Sequence, residues 1–431
     1  MIIVSRPNAL AFFVPVIVQY CCCCLWTQGG EAFSNQATSN MRFNHRRGKL
    51  RGETSLNFPS CSLYGYKNGN QNSKTSTNLF GYRRDTSQTT RELVQKLVDE
   101  ECEGIGLVPD EEDSAHQEDE EEDGGVEIGF SSETGIRGLF ARGDYDAGEF
   151  LCAIPFPTTL VIEDSELGGN TTDAERGLFF LQNYLQKRNE SDTLSSYLGC
   201  LPTRDNSFDP TPDFFSSKEL APLEFPRLIN AALQRQEDIQ KVADRHNTDK
   251  DELQFATWLT KSRCFTILRL KQVDPINDPG KKTIQIRSVM IPLLDMINHS
   301  SDQPNAELEV IETKIEDESF YALQATRPIK ANEEITISYG SGQDSSLDLF
   351  MNYGFVPYSN PFDIDFLRSE IQQERGSDCF TRPDQWTTTL KEDEKLLASM
   401  ERSATSKSNC EDTRRRILEF RMQMKRALLE I

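Results

Sequence analysis

Apolar residues follow two different spacings along this chain, and the change between them predicts its architecture. Residues 126–130 alternate apolar and polar side chains as a strand does, and residues 135–141 form a turn that leads into a second strand. A tight turn at 146–149 precedes a third strand at 150–154. A unit of short β-strands therefore begins near residue 126.

Beyond residue 173 the spacing becomes helical and later returns to that of strands. Helices are predicted there at 178–185, 228–242 and 253–268, and strands at 284–286, 306–311, 320–325 and 335–338. A further helix is predicted before the β-strands, at 91–101. The chain is polar after residue 361 and helical from residue 390 onward. These elements predict an α+β fold in which a β-domain is split by a helical insert and followed by a short helical region.

The same pattern divides the chain into seven segments. They are a signal peptide (1–32), a transit-like low-complexity segment (33–85), an N-terminal helix with an acidic insertion (86–125), the first part of the β-domain (126–165), the helical insert (166–283), the second part of the β-domain (284–358) and a C-terminal helical region (359–431).

The first 85 residues have the composition of a targeting presequence. An apolar run at 9–18 follows Arg6 and is too short, and too interrupted by Pro15, for a membrane span, which favours a signal peptide. The following stretch is rich in Ser, Asn, Thr and Arg and carries no acidic residue between Phe33 and Glu53. This layout resembles the two-part plastid presequence of algae with secondary plastids, and it predicts a plastid location. Secretion and a retained membrane anchor stay open as alternatives.

Charge narrows the range of partners. The net charge is −22, and ten of the fourteen residues from Asp110 to Asp123 are acidic. Because nucleic-acid affinity depends on clustered Lys and Arg, we expect no nucleic-acid partner. The acidic run is typical of a solvated insertion, with a docking tail for a basic partner as the alternative. We also expect a monomer without stable membrane association after processing.

The number and spacing of the cysteines and histidines argue against a metal site and a disulfide framework. The chain has 11 cysteines, four of them adjacent at 21–24 and the others dispersed, without a Cys-x-x-Cys pair in the body. Only His299 of the four histidines lies in a motif. We therefore expect no structural zinc, no other metal and no disulfide framework. The Gly-x-Gly-x-x-Gly, P-loop and Gly-x-Ser-x-Gly patterns of nucleotide-binding proteins and hydrolases are also missing.

Three short segments carry the chemistry. Residues 291–300 end in Asn-His-Ser, residues 333–340 end in Ser-Tyr-Gly and are followed by 352–356, and residues 138–141 form a Gly-Leu-Phe-Ala turn. In this order, around a helical insert, they resemble the pattern of the SET-domain methyltransferases. Residues 196–202, 262–265 and 392–431 resemble the group that contains the Rubisco large-subunit lysine methyltransferases and the actin histidine methyltransferases.

The resemblance implies S-adenosylmethionine as the cofactor and a protein as the substrate. It implies a core in which the Asn-His-Ser segment passes under the Ser-Tyr-Gly segment. Residues implied in cofactor binding are Gly138, Leu139, Phe140, Arg263, Asp295, Asn298, His299 and Tyr339. The backbone of 138–140 would meet the amino-acid end of the cofactor, and Arg263 would pair with its carboxylate. Asn298 and the His299 backbone would meet the amino group and the adenine, while Asp295 would support the Asn298 turn.

Methyl transfer to an amine requires alignment and a neutral nitrogen, and burial in an aromatic channel favours both. Tyr339 is the expected catalytic residue, because a buried hydroxyl can orient the amine. Phe265, Tyr353 and Phe355 are the expected channel walls. An apolar wall at Phe265 favours lysine over histidine as the acceptor. A histidine methyltransferase and a non-catalytic SET-fold binding module stay open as alternatives, as do ordinary core roles for Tyr353 and Phe355 and a surface position for Arg263.

Overall fold

The computed structural model describes residues 17–20, 82–106, 124–166, 171–186, 192–204, 208–274, 278–313, 315–372, 386–403 and 409–431. Most of the presequence, the four cysteines at 21–24, His45, His116 and the acidic run at 110–123 lie outside the described residues. Within those ranges, no helix combines the length and the apolar character that crossing a membrane requires.

Within the described residues, the strands make up three sheets. The strands are β1 (Ile17–Tyr20), β2 (Tyr82–Arg84), β3 (Val126–Ser131), β4 (Arg137–Ala141), β5 (Phe150–Pro155), β6 (Leu160–Glu166), β7 (Phe265–Asp274), β8 (Asp278–Met290), β9 (Asn298–His299), β10 (Ala306–Ile311), β11 (Phe320–Ala325) and β12 (Glu334–Ile337). Their orders are β1-β7-β8-β6, β10-β11-β5 and β2-β3-β4-β12-β9. The pairing of β12 with β9 is parallel, and the other strand pairs are antiparallel.

Helices lie between and after these strands. They are α1 (Gln88–Asp99), α2 (Asp173–Phe180), α3 (Asp192–Cys200), α4 (Ser217–Leu220), α5 (Pro226–His246), α6 (Lys250–Arg263), α7 (Ser346–Tyr353), α8 (Phe362–Gln372), α9 (Leu390–Ser403) and α10 (Asn409–Leu429). Local sequence sets several of their ends. Reciprocal side-chain and backbone hydrogen bonds between Thr172 and Glu175 begin α2, and the same capping box between Ser345 and Asp348 begins α7.

The α+β class predicted from the sequence is confirmed, with one helix boundary corrected. The helix predicted at 253–268 ends at Arg263, and Phe265 begins β7. Thr266 and Ile267 are β-branched and suit a strand, which here pairs with β8 along its whole length. A short apolar run has no periodicity that distinguishes the end of a helix from the start of a buried strand.

Helix α8 lies where the sequence indicated only a polar stretch. Its buried face carries Asp363 and Glu370 beside Leu367, so an apolar periodicity is hardly visible. Ser346 satisfies the Asp363 carboxylate through its backbone N–H at 2.6 Å and its hydroxyl at 2.7 Å. A buried acid with such partners is stable in a packed helix, although its residue type indicates an exposed position.

The ends of the acidic insertion lie side by side. Val126 donates its backbone N–H to the Gly104 carbonyl at 2.9 Å, and Gly106 donates to the Val126 carbonyl at 3.0 Å. Both Gly104 and Gly125 have positive φ angles, and a Cβ at either would collide with backbone atoms. The insertion therefore leaves and re-enters the fold at one place, as expected for a looped-out segment.

The folded body includes residues at the end of the segment predicted to be transit-like. Strand β2 pairs with β3, and Tyr82 stacks on Phe140 with ring centroids 4.3 Å apart. Since Tyr82 is also buried, a protein that began after residue 84 would lose an edge strand and expose Phe140.

The C-terminal helices share a core with the helical insert. This C-terminal core consists of apolar residues from α4, α5, α7, α8, α10 and the segments next to them, among them Phe215, Leu223, Phe225, Leu228, Leu347, Phe350, Leu367, Ile417, Phe420 and Met424. Phe420 lies at its centre and packs edge-on against Phe225 and in a stack with Phe350. Helix α10 is thus held between the insert and α7.

Replacing Phe420 with Ala should lower the free energy of unfolding by about 3–5 kcal/mol, because a fully buried ring is lost and a cavity remains. Leu429 is the matched control: it lies on the same helix, 74% exposed, and Leu429→Ala should change stability by less than about 0.5 kcal/mol. Urea denaturation of both variants measures the difference. Equal, small effects would show that α10 is not part of the core.

Candidate functional site

The site forms where β9 and β12 run side by side. Thr336 lies opposite Asn298, and Ile337 lies opposite His299. Immediately after β12, Tyr339 donates its backbone N–H to Nδ1 of His299 at 2.9 Å, and its hydroxyl donates to the Ile297 carbonyl at 2.5 Å. Tyr339 is therefore held at both ends by the Asn-His-Ser segment, and the structure brings together the two motifs that the sequence singled out.

His299 serves this contact as a neutral acceptor. Because Nδ1 accepts from Tyr339, the proton lies on Nε2, which is 2.7 Å from the Ser301 hydroxyl. Burial lowers the pKa of His299 to about 4, so the ring is uncharged at neutral pH. Both ring nitrogens are thus engaged inside the protein, and the ligand contact through the His299 backbone that the resemblance implies stays a prediction.

Arg263, the last residue of α6, points inward and pairs with Asp295. Its Nη1 lies 3.0 Å from Oδ2 of Asp295 and 3.1 Å from the Asp295 carbonyl. The surface position considered for Arg263 is wrong, since its side chain is 20% exposed and that of Asp295 is 0% exposed. Tyr197 of α3 donates a further hydrogen bond to Oδ2 at 2.9 Å. Burial raises the pKa of Asp295, and the Arg263 charge and the Tyr197 hydroxyl oppose that effect.

This pair anchors a turn with an unfavourable backbone conformation. Leu293 is fully buried and has φ 74° and ψ −54°, a region that residues with a side chain rarely adopt. Asp295 donates its backbone N–H to the Ile291 carbonyl at 3.1 Å, and Met296 donates to the Leu293 carbonyl at 3.0 Å. These bonds tie Asp295 into the turn that precedes Ile297 and Asn298, and its expected support of the Asn298 turn stays a prediction.

Gly138, Asn298 and Glu334 meet beside this turn. The Asn298 amide donates to the Arg137 carbonyl at 3.1 Å and to Oε1 of Glu334 at 2.7 Å. A Cβ at Gly138 would lie 2.6 Å from Nδ2 of Asn298 and 2.9 Å from Oε1 of Glu334. With both amide protons used, the Asn298 carbonyl oxygen is left to accept from a ligand. Burial raises the pKa of Glu334.

Leu139 and Phe140 are less well placed than Gly138 to contact a ligand. Both side chains are buried in the core, and β4 pairs with β3 on one edge and with β12 on the other at these two residues. The register between β4 and β12 ends at Leu139, so the β4 edge next to Asn298 is at Gly138 and Arg137. Of the predicted segment 138–140, Gly138 is thus the residue best placed to approach a ligand.

A small cavity of about 20 Å³ lies between these groups, large enough for roughly one water molecule. Its lining includes the predicted residues Arg263, Phe265, Asp295, Tyr339 and Tyr353. Besides these, its walls are formed by Ser262, Cys264, Leu294, Ile297 and Ile337. The structure therefore joins the predicted catalytic tyrosine to predicted cofactor and channel residues in one cavity.

Aromatic rings pack in tilted orientations along one side of Tyr339. The ring centroids of Tyr339 and Tyr353 are 4.7 Å apart, and Phe355 lies 6.1 Å from Tyr353 and 5.7 Å from His299. These rings form the aromatic wall, defined here as Tyr353 and Phe355. Burial holds the pKa of Tyr339 well above its ordinary value, so the hydroxyl stays protonated at neutral pH.

Sequence reasoning assigned no role to two residues that orient the site, Tyr197 and Glu334. Each contacts a predicted residue far away in sequence: Tyr197 bonds Asp295, and Glu334 bonds Asn298. Glu334 begins β12, the strand that leads into the Ser-Tyr-Gly motif, so its place beside that motif could have indicated a role. The sequence around α3 has no feature that indicates the contact of Tyr197 with Asp295. In the described parts of the chain, no three His, Cys, Asp or Glu side chains form a possible metal site.

Comparisons with known proteins show what this chain is similar to. Residues 136–340 match the family model of the SET domain, the family that the sequence motifs resemble. SET domain-containing protein 8 of Schizosaccharomyces pombe (strain 972 / ATCC 24843) is 25% identical over 239 residues, which cover 51% of this chain and 51% of the relative. The chain thus spans about half the length of the curated relative that it matches.

Two solved structures match this chain at low identity. The SET domain of LSMT bound to lysine and AdoHcy is 14% identical to this chain, with a TM-score of 0.49, and the match covers 80% of this chain and 90% of that one. Rubisco LSMT bound to AdoMet is also 14% identical, with a TM-score of 0.47 and the same coverage.

The low pKa of His299 predicts a specific pH dependence of stability. Between pH 6.5 and about pH 4 the unfolded state binds a proton on this histidine that the folded state does not, so its contribution to stability falls as the pH falls. His299→Asn keeps an acceptor for Tyr339 and removes the titration. The stability gap between wild type and this variant should therefore shrink by about 2 kcal/mol from pH 7.5 to pH 5 in urea denaturation.

His246 provides the control for the substitution itself, because it is exposed at the end of α5. His246→Gln should change stability at pH 7.5 by less than about 0.5 kcal/mol. A gap between wild type and His299→Asn that does not change with pH would contradict the assignment of a buried, neutral His299.

Proposed function

We propose that this protein transfers methyl groups from S-adenosylmethionine to a lysine side chain of a protein substrate. The observation that carries the proposal is the continuity between two features. The Gly138–Asn298 corner offers backbone and amide groups, and Ile297, the residue before Asn298, lines the aromatic cavity together with Tyr339, whose hydroxyl donates to the Ile297 carbonyl. A small polar corner beside an apolar channel suits a cofactor on one side and an alkyl amine on the other.

The residues present fit such a cofactor. Nε of Arg263 and Oδ1 of Asp295 are buried and lack a hydrogen-bond partner among the described residues, so the Arg263–Asp295 pair can still donate to a carboxylate and accept from an ammonium group. The Asn298 carbonyl oxygen adds a second acceptor, and the absence of a side chain at Gly138 lets the Asn298 amide and the Glu334 carboxylate approach the backbone there. Gly138, Arg263, Asn298 and the His299 backbone are therefore the groups proposed to hold it.

When bound, the cofactor supplies an electrophilic methyl group on a sulfonium sulfur. The chain's own residues align a neutral amine with that methyl group and exclude water from it. Phe265, Tyr353 and the apolar side chains of the cavity disfavour a charged ammonium ion, which lowers the pKa of a lysine that enters. Because the Tyr339 proton points to the Ile297 carbonyl, the lone pairs of its oxygen are available to accept from the amine.

Phe265 favours lysine over histidine as the acceptor. An imidazole requires a hydrogen-bonding partner to present the correct nitrogen, and the cavity wall next to Arg263 is the apolar ring of Phe265. An aliphatic lysine stem needs only apolar and aromatic contact along its length, which Phe265 and the aromatic wall supply. The plastid location and a plastid protein as the substrate belong to this proposal on the strength of the presequence, and the expected monomeric state is proposed with them.

The proposal is tested by transfer of labelled methyl from S-adenosylmethionine to a plastid stromal extract, with the full chain as enzyme. Hydrolysis of the labelled band and chromatography of its amino acids should give methyllysine. Methylhistidine would support the histidine alternative. Absence of label together with cofactor binding would support a binding module or a substrate outside the plastid.

Tyr339→Phe should lower turnover about a hundredfold and leave cofactor affinity nearly unchanged, because only one hydroxyl at the reacting centre is lost. Tyr184→Phe is the matched control, since it also removes a hydroxyl that donates to a carbonyl, at 3.2 Å from Val161, and it lies outside the cavity. Initial rates and calorimetric affinities of both variants give the comparison. Equal turnover in the two variants would remove Tyr339 from the mechanism.

Gly138→Ala should weaken cofactor binding about tenfold or more, because the added Cβ would displace the Asn298 amide and the Glu334 carboxylate. Gly143→Ala is the control, as its Cβ would meet its nearest neighbour at an ordinary 3.6 Å. Calorimetric titration with S-adenosylmethionine measures both. Unchanged affinity in Gly138→Ala would place the cofactor elsewhere.

A further inference from the structure

The end of α7 carries the aromatic wall and is fixed by contacts that are remote in sequence. Tyr353 is the last residue of α7, and Gly354 ends the helix with φ 83°. A Cβ at Gly354 would lie 2.3 Å from the Asp209 carbonyl oxygen, so this turn presses directly against the segment at 208–213. The position of Tyr353 and Phe355 therefore depends on what holds this turn.

Two arginines hold it. Arg235 of α5 donates to the Met351 carbonyl at 2.6 Å and to the Asn352 side chain at 3.2 Å, and it also contacts Asp213. Arg416 of α10 donates to the Gly354 carbonyl and to the Asp209 carboxylate, and its Nε lies 3.0 Å from Asp412. We call Arg235 and Arg416 the arginine clamp.

The chemistry of the clamp matches its targets. The carbonyls of the last helical turn have no partner within their own helix and carry a partial negative charge, so cations are favourable there. A guanidinium can bridge a carbonyl and a carboxylate at once because its N–H groups have a fixed planar arrangement. The clamp thus ties the end of α7 to acidic residues of the 208–213 segment on both sides.

We propose that Arg416, assisted by Arg235, is a positioning residue for methyl transfer: it holds the aromatic wall against Tyr339 and His299 from the C-terminal helix. This inference rests on the proposed function of the site. Arg416 does not line the cavity, and it acts through Gly354, the residue between Tyr353 and Phe355. The C-terminal region is by this account part of the acceptor side of the site, and the cofactor corner at Gly138 and Asn298 is independent of it.

The test compares the full chain with Arg416→Ala, Arg416→Lys and Arg415→Ala. Arg415 is the matched control, because it is the neighbouring arginine on α10 and pairs with Asp412 and Glu419 of the same helix. Three quantities are measured: turnover on the labelled stromal acceptor, cofactor affinity by calorimetry, and hydrogen exchange of a peptide that covers residues 350–356.

Arg416→Ala should lower turnover about tenfold to a hundredfold, the scale of a misplaced channel wall, and leave cofactor affinity within about twofold. Exchange of the 350–356 peptide should become at least about tenfold faster, with the peptide around His299 unchanged. Arg416→Lys should recover part of both effects, since one amine replaces the two-pronged contact. Arg415→Ala should behave as wild type.

Asp209→Asn is a milder variant if Arg416→Ala does not fold. The Asp209 side chain is 60% exposed, so the change keeps the fold and weakens only the contact with Arg416. It should shift turnover and exchange in the same direction by a smaller factor. Turnover and exchange equal to those of Arg415→Ala, or a parallel loss of cofactor affinity, would overturn the proposal. A wild-type chain that transfers no methyl overturns the proposed function alone, and the exchange data then decide on the clamp.

Discussion

The site depends on the parallel contact between β9 and β12. It places the Asn-His-Ser and Ser-Tyr-Gly segments side by side and lets one residue, Tyr339, bond to His299 through its backbone and to Ile297 through its hydroxyl. Both bonds need uncharged partners, which burial provides for the imidazole and the phenol. Every other feature of the site is arranged around this contact.

Two kinds of support keep that contact in register. On one side the buried Arg263–Asp295 pair, with Tyr197, holds a turn whose Leu293 has a positive φ. A buried ion pair adds little net stability by itself, and its loss leaves an unpaired charge, so its use here fits a role in positioning. On the other side the C-terminal helix reaches the end of α7 and sets the aromatic wall.

Local patterns were sufficient to predict much of this from sequence. Alternation at 126–130 and the turn residues before β4 indicated the first strands, and the two motifs indicated Asn298, His299 and Tyr339. The boundary between α6 and β7 was wrong because an apolar run fits both structures. Helix α8 was missed because Asp363 and Glu370 are buried, which their residue type does not indicate.

The remaining features are non-local. Arg263 was expected to bind a carboxylate of the ligand. In the structure its side chain donates to Asp295, and no sequence spacing predicts that contact. The contacts of Arg416 with Asp209 and Gly354 likewise join segments that are far apart in the chain. From sequence alone, an arginine on α10 cannot be distinguished from one that is exposed to solvent. Sequence patterns report local conformation and burial, whereas such pairings follow from topology.

The central claim is that this chain binds S-adenosylmethionine through the groups proposed to hold it, Gly138, Arg263 and Asn298. Calorimetric titration of the full chain with S-adenosylhomocysteine, the demethylated product, tests it most directly, because binding then needs no acceptor and no turnover. The account predicts one binding site per chain, lost in Asn298→Ala. No binding heat at any temperature, with the protein folded, would contradict it.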